Sequence, residues 1–370
     1  MRIFSCVSGT SCDGISWALV DVSEKKGKIV FDISRKGNSD YAIELKRSLL
    51  ETANSGKTSL QELCDMHWSI GKHLVRIARR LPSGIDAAVF SGHTIYHTEQ
   101  VGKTGMGTLQ IGAVEPLSLF LEVPVLRDMR STDVAAGGMG APLVPRADEL
   151  MFGRGSAVLN MGGIANLTLL GSRTTGFDTG PGNMLIDEAA RLLFGKEFDR
   201  NGSIARSGKQ DSRILSSLLK DPFVNSRPPK SCGRERYGTA FLHRIVKRAS
   251  SLGIRNEDIM ATLTEFTVRS ILRNMGRFAP GYRKLICAGG GAYNNYLMER
   301  MAELFDGKVY ISEDFGVPRD SRESIAFALL CYLSLQLKAS NSDATGAKKK
   351  LPLGSVTIHG FVGEPASIMR

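Results

Sequence analysis

The chain has 370 residues, 42% hydrophobic and 23% charged, enough for two lobes that each bury a core. No apolar run approaches the ~18 residues of a membrane span, and the N-terminus lacks a signal-peptide pattern, so a cytoplasmic protein with no membrane partner is expected. The formal net charge of +11 favours polyanions, but the basic residues are dispersed and not gathered with aromatics, so nucleic-acid binding is not expected.

Strands are predicted over Arg2–Val7, Ser16–Val22 and Lys28–Ser34. The first two are separated by "VSGTSCDGIS", Val7–Ser16. A tight hairpin needs only two turn residues, whereas this loop offers several amides and hydroxyls beside one acid. Such a loop suits a phosphate with its magnesium ion, although an ordinary Gly/Ser/Asp turn has the same composition. Helical spacing of apolar residues predicts a helix over Ser59–Leu81. A buried strand Asp86–Ser91, a helix Ala113–Leu121 and a strand Pro124–Asp128 follow.

The series then restarts, with strands at "SAVLNMG", "LTLLG" and "TTGFDTG" and "GIAN" as a loop. Helices are predicted over Asn183–Phe194, Gly238–Ser250 and Asn256–Arg277. A strand at Lys284–Ala288 runs into "GGG", followed by a helix from Asn294, the strand "KVYIS" and a helix over Arg322–Leu337. Two series that open with three strands and then alternate helix and strand predict duplicated α/β lobes with a ligand cleft between them. Loops "SGTSCDG" and "MGGIAN" are candidates to hold a polyphosphate there, and the lack of GxxxxGK[ST] rules out a P-loop. Six cysteines without CxxC spacing and six scattered histidines argue against a zinc site or a disulfide framework.

Five further stretches carry candidate chemistry: "SGHTIYH" at a strand end, "RDMRSTDVAAGGMGAPLVPRAD", "FDTGPGN", "GGGAYNNYLM" and "PRDSRESIAFALL". Each also has a local reading. Asp178 can form an Asx turn, and Gly289–Gly291 can be a strand-to-helix turn with positive φ. Asp128 and Arg130 can be an ion pair, Glu323 a helix-capping carboxylate, and His93 and His97 structural histidines.

Together, "SGTSCDGIS", "SGHTIYH", "TLQIG", "DMRSTDVAAGGMGAPLVP", "NMGGIANLT", "FDTGPGNMLID", "PPKSCGRE", "GGGAYNNYLM" and "RESIAFA" occur in an order that closely resembles the anhydro-N-acetylmuramic acid kinase family. The resemblance runs from about Val7 to Val356. It implies α/β architecture with two duplicated actin-like (ribonuclease H-like) lobes of the actin/hexokinase/Hsp70 superfamily and an ATP/sugar cleft. The first lobe is expected over 1–127, with 340–370 returning to it, and the second over 128–339. The implied activity is ATP-dependent hydrolytic opening of the anhydro sugar with phosphorylation to N-acetylmuramate 6-phosphate, in peptidoglycan recycling. ATP and Mg²⁺ are the implied cofactors. The implied partners are ATP and the anhydro sugar, and at most a second copy of the chain as a homodimer.

By the same resemblance, Gly9, Thr10, Ser11, Cys12, Asp13, Gly14, Ile15 and Ser16 match the ATP-phosphate segment, with Asp13 as the candidate metal ligand. Gly162, Gly163, Asn166, Gly289, Gly290 and Gly291 are the remaining ATP-binding candidates. Asp178 matches the general base on the attacking water, and Thr94, Arg130 and Glu323 fall where the family contacts sugar and assists catalysis. The chain departs from the pattern at Ser16, where an acid is usual, at His93 and Met139, where glutamine is usual, and at Ser324, where alanine is usual. These departures keep two rivals open: a kinase for another anhydro sugar such as levoglucosan, and an ATP-binding regulatory protein that has lost catalysis.

Overall fold

The computed structural model describes residues 1–9, 12–98 and 107–358. It divides into two compact units, a first comprising Met1–Leu150 and Glu323–Arg370 and a second comprising Met151–Arg322. The first unit opens with an antiparallel meander of β1 (Arg2–Ser8), β2 (Gly14–Lys25) and β3 (Lys28–Asp40). Helices α1 (Ile43–Ser55) and α2 (Leu60–Ala78) lead to β4 (Ala87–Phe90). A two-stranded antiparallel ribbon, β5 (His93–Thr98) and β6 (Gly107–Ile111), precedes α3 (Glu115–Leu121), β7 (Val125–Arg127), α4 (Met129–Ala135) and α5 (Pro145–Phe152).

The second unit starts the pattern again with β8 (Ser156–Met161), β9 (Ile164–Leu170) and β10 (Thr175–Pro181). Helices α6 (Met184–Phe194), α7 (Ser203–Ser207), α8 (Ser212–Leu218), α9 (Pro222–Asn225), α10 (Thr239–Ser251) and α11 (Asn256–Phe278) follow. The unit closes with β11 (Lys284–Ala288), α12 (Asn295–Leu304) and β12 (Lys308–Ile311). Helix α13 (Arg322–Leu335) and β13 (Ser355–Thr357) then belong to the first unit from Glu323 onward.

The two sheets run β13-β7-β4-β1-β2-β3 and β10-β9-β8-β11-β12. Counted among the strands of its own sheet, each reads third-second-first-fourth-fifth, and β13 adds an antiparallel edge to the first. The opening three strands are antiparallel, while the fourth and fifth run parallel to the first. This is the duplicated actin-like α/β fold expected from the resemblance.

Burial explains the layout. Central β1 carries Ile3, Phe4, Ser5 and Cys6 wholly buried, the near-continuous run of a strand covered on both faces, while edge strand β3 alternates between half-buried and exposed positions. Met66, Ile70, Leu74 and Ile77 form the stripe of α2 that enters the same core as Phe4 and Phe90. Each such side chain contributes about 1.5–3 kcal/mol on burial. Ser59 and Glu62 close the N-terminus of α2 with a reciprocal capping box. In the second unit α11 runs through the core, and its buried Glu265 is neutralised by Arg269 at 2.7 Å and Arg300 at 3.0 Å.

The division at Leu150/Met151 and Arg322/Glu323 differs from the expected 127/128 and 339/340. The glycine run after α4 is bound to the C-terminal segment: the Met139 amide donates to the Thr345 carbonyl at 2.8 Å. The Thr345 hydroxyl donates to Asp133 at 2.8 Å, and the Gly354 amide to the Thr132 hydroxyl at 3.0 Å. Two local expectations also change: "GIAN" enters β9, and "SGHTIYH" forms most of β5.

Candidate active site

Many of the candidate residues follow the carboxyl ends of mutually parallel strands, where open α/β sheets bind ligands, while Asn166 and Asp178 lie within the antiparallel β9 and β10. After β1 comes the segment Gly9–Ser16, expected as one loop; its last three residues already belong to β2, and Thr10 and Ser11 lie outside the described residues. The Cys12 amide donates to the Gly9 carbonyl at 3.1 Å, and Cys12 itself is buried with a left-handed φ of 55°. Ile15 fills the core and pairs with Ser8 and Ser39 on the two neighbouring strands, so the structure gives it a place in the sheet and not at a ligand. Asp13 is exposed and accepts from Lys46 Nζ at 2.6 Å. Ser16 donates to Asn38 Oδ1 on β3 at 2.7 Å.

Downstream of β4, β5 opens with buried His93 and half-buried Thr94. Gln110 on β6 stands opposite Thr94 and reaches its hydroxyl at 3.5 Å, while its Oε1 is buried with no hydrogen-bond partner among the described residues. Beyond β7, Asp128 has φ of 52° and accepts from the Ser131 amide as the N-cap of α4, which is a structural task. Asp133 is likewise structural: wholly buried, it accepts from the Gly140 amide at 2.8 Å. Gly140 in turn accepts from Arg130 Nη1 at 2.8 Å, so the glycine run is folded to receive Arg130. Burial pulls the Arg130 guanidinium below its ordinary value, and Glu323 is the strongest of the carboxylates opposing that fall, ahead of Asp133 and Asp128. Glu323 itself is exposed at the start of α13, so the structure pairs these two candidates by charge.

The second unit gathers its glycines. The Gly162 carbonyl accepts from the Asn183 amide and the Gly163 carbonyl from the Gly182 amide, both at 2.8 Å, which ties the β8–β9 turn to the turn after β10. Gly289, directly after β11, has φ of +84°, and a Cβ there would lie 2.7 Å from Asn160 Oδ1. A Cβ on Gly290 would lie 3.4 Å from Asn183 Nδ2, and one on Gly291 2.7 Å from Asn183 Oδ1. Three turns therefore meet around Asn160 and Asn183, which lie in the quoted motifs "NMGGIANLT" and "FDTGPGN" but were not among the individual site candidates. Asn166 sits in β9, paired with Asn160 on one side and Asp178 on the other. This polar row leads from the glycine turns to Asp178 over two strand spacings, about 10 Å.

Asp178 on β10 is half-buried, and its Oδ2 accepts from the Cys232 amide at 2.9 Å and the Ser231 hydroxyl at 3.3 Å. A carboxylate fixed in this way, facing donors that favour its charged form, is equipped to accept a proton. Its partners lie more than fifty positions away in "PPKSCGRE", so spacing gave no signal of the contact.

The donor sets fit nucleotide chemistry. Clustered turns with small residues let backbone amides approach phosphate oxygens. Among the described residues no group of three His, Cys, Asp or Glu side chains could hold a metal unaided. Asp13 is a single exposed carboxylate, and Mg²⁺ is commonly held by one or two carboxylates plus substrate phosphates.

A family model described as anhydro-N-acetylmuramic acid kinase matches residues 1–359. The chain is similar to an anhydro-N-acetylmuramic acid kinase of Bacillus thuringiensis subsp. konkukian, 33% identical over 96% of this chain and 99% of the relative. A protein of that description from Caldanaerobacter subterraneus subsp. tengcongensis is 34% identical over 96% of each chain. Among solved structures, a ligand-bound xylulose kinase from Lactobacillus acidophilus aligns over 99% of this chain and 94% of its own at 10% identity, with a TM-score of 0.49. With the family model spanning nearly its whole length, the chain belongs to the anhydro-N-acetylmuramic acid kinase family.

Proposed function

We propose that this chain is an ATP-dependent kinase that opens the anhydro bond of anhydro-N-acetylmuramic acid with water and phosphorylates the freed 6-oxygen, yielding N-acetylmuramate 6-phosphate. The observation that carries this reading is the family match over residues 1–359. Asp178 is the general base. It takes a proton from the water that attacks the anomeric carbon, and the bond to the 6-oxygen breaks as the new C–O bond forms. The released 6-oxygen then attacks the γ-phosphoryl group and ADP leaves.

Positioning and charge supply most of the remaining catalysis. Thr94 holds the sugar through its hydroxyl, with Gln110 beside it. Arg130 and Glu323 orient the sugar and balance the charge that develops on transfer. Amides of the loop before β2 in the Gly9–Ser16 segment and of the Gly162–Gly163 and Gly289–Gly291 turns contact the nucleotide, and Asn166 spaces the latter two turns from the base. Bound Mg²⁺, with Asp13 as its protein ligand, would neutralise phosphate charge during the transfer. The relatives' descriptions favour the sugar bearing lactyl and acetamido groups over levoglucosan. We place the reaction in the cytoplasm, carried out by a monomer or homodimer.

A coupled ADP-release assay with anhydro-N-acetylmuramate, levoglucosan, N-acetylmuramate and water tests the reading. Turnover is expected with the first, exceeding levoglucosan by at least about tenfold in kcat/KM, because a buried donor left unpaired costs about 1–3 kcal/mol. Equal use of both anhydro sugars would overturn the substrate, and ADP release independent of sugar would overturn the kinase.

A further inference from the structure

The motif "PPKSCGRE" has no task in the reaction described above, yet the structure folds it against Asp178. The Asp178 amide donates to the Lys230 carbonyl at 3.1 Å, and Ser231 and Cys232 both donate to the Asp178 carboxylate. The Lys230 side chain is itself held. Its ammonium donates to the Phe223 carbonyl at 2.9 Å and the Val224 carbonyl at 3.2 Å, and lies 4.9 Å from the Phe223 ring centroid and 5.9 Å from that of Phe278. Phe278 also packs edge-on against Phe177, the neighbour of Asp178. Asn274 of α11 completes the frame by donating to the carbonyls of both Thr179 and Val224 at 3.3 Å. The lysine is thus anchored on both sides of the base.

We infer that Lys230–Cys232 is a positioning clamp for Asp178: Ser231 and the Cys232 amide orient the carboxylate, and the Lys230 ammonium adds an opposing charge in its neighbourhood. This rests on the reading of Asp178 as general base. The charged and titratable groups that act on Lys230 come from every element around it: Arg277 of α11, Asp178 of β10, Asp221 at the start of α9, and Cys232 of its own segment. Burial first and Arg277 second lower the Lys230 ammonium to about 8, against the pull of the two aspartates and the thiol. It is therefore charged at neutral pH, and its charge favours the basic, proton-accepting form of Asp178.

The test is a set of double variants in the full-length enzyme. Lys230→Met keeps the apolar stem between the two rings and removes the charge. Ser231→Ala removes one donor from an exposed residue that the fold does not need. Lys230→Met is expected to lower kcat about tenfold with the sugar KM within about threefold, and to move the acid limb of the kcat–pH profile up by about one unit. Ser231→Ala should shift both in the same direction by less, and Ser231→Thr should restore them. Neither change should lower the residual turnover of an Asp178→Asn enzyme, because a residue that acts through the base has nothing left to act on. If Asp178→Asn is impaired and the second substitution costs the same factor again, or the acid limb stays in place, the clamp is wrong and the base stands. If Asp178→Asn turns over like wild type, the base assignment and the clamp fall together.

Discussion

His93 joins two parts of the first unit that lie 85 positions apart: its Nδ1 is 2.9 Å from the Ser8 hydroxyl, and its Nε2 is 3.8 Å from the Cys12 thiol. Tyr41 extends the chain by donating to Ser8 at 2.8 Å. A ring that stands where the family pattern has glutamine thus links the end of β1 and its loop to the start of β5.

This burial has a pH signature. His93 is 2% exposed, and desolvation pushes it down to about 4 from 6.5. Between those values the unfolded chain binds a proton that the folded chain does not, so stability is complete above pH 6.5 and is lost as pH falls toward 4. The loss reaches about 2 kcal/mol by pH 5. His93→Gln should flatten that difference in urea denaturation at pH 5 and 7. Parallel losses in both proteins would mean that His93 is not the group being titrated.

Gly289→Ala should weaken ATP binding at least about tenfold while leaving sugar binding nearly intact. The position combines φ of +84° with a Cβ that would press on Asn160 Oδ1 and the Met161 carbonyl, so the turn must shift. Calorimetric titration with each ligand separates the two effects, and wild-type ATP affinity would exclude this turn from the nucleotide site.

Ser16→Asp restores the acid usual in the family pattern. Ser16 faces Asn38 on β3, whose side-chain amide can turn to donate to a carboxylate, so the strand pair should tolerate the change. We expect the Mg²⁺ concentration for half-maximal turnover to fall about threefold or more. An unchanged Mg²⁺ dependence would set this position apart from the metal.

Ser59→Ala should lower stability by about 0.5–2 kcal/mol with no effect on turnover, since it removes only the capping box of α2. Chemical denaturation and a single-point assay check both halves.

Much of the fold was legible because its signals are periodic. The helices α2 and α11 and the strand β11 lie within a few residues of their predicted spans, since apolar spacing repeats along each. Helix α1 gave no such signal: Ala42 offers no side-chain cap, and Ile43 at its start is 80% exposed. "GIAN" looked like a loop from its opening glycine, but Ala165 and Asn166 pair with strands on both sides. At the site, glycine turns and acids could be read singly as local features, and Asp128 is indeed a local helix cap, whereas Asp133 also receives Thr345 from 212 positions away. The contact of Ser231 with Asp178 spans 53 positions, and the neighbourhood of Arg130 and Glu323 spans about half of the chain. No local pattern encodes such distances.

The insertion of one unit inside the other orders events on the ribosome. Every strand of the second unit's sheet lies within an uninterrupted stretch, and its ends come back together, with Phe152 packed edge-on against Phe315 at 5.7 Å. That unit can close as soon as its own residues have emerged. The first unit has to wait for helix α13, whose buried run Ile325–Leu333 brings the Cys331 thiol against the Ala88 carbonyl of β4, and for β13 to complete its sheet edge. During synthesis the inner domain is therefore finished while the outer one, begun first, still exposes the apolar surface that α13 will cover. A chain cut before that helix would keep every strand of the inner domain and leave uncovered the apolar surface against which α13 packs.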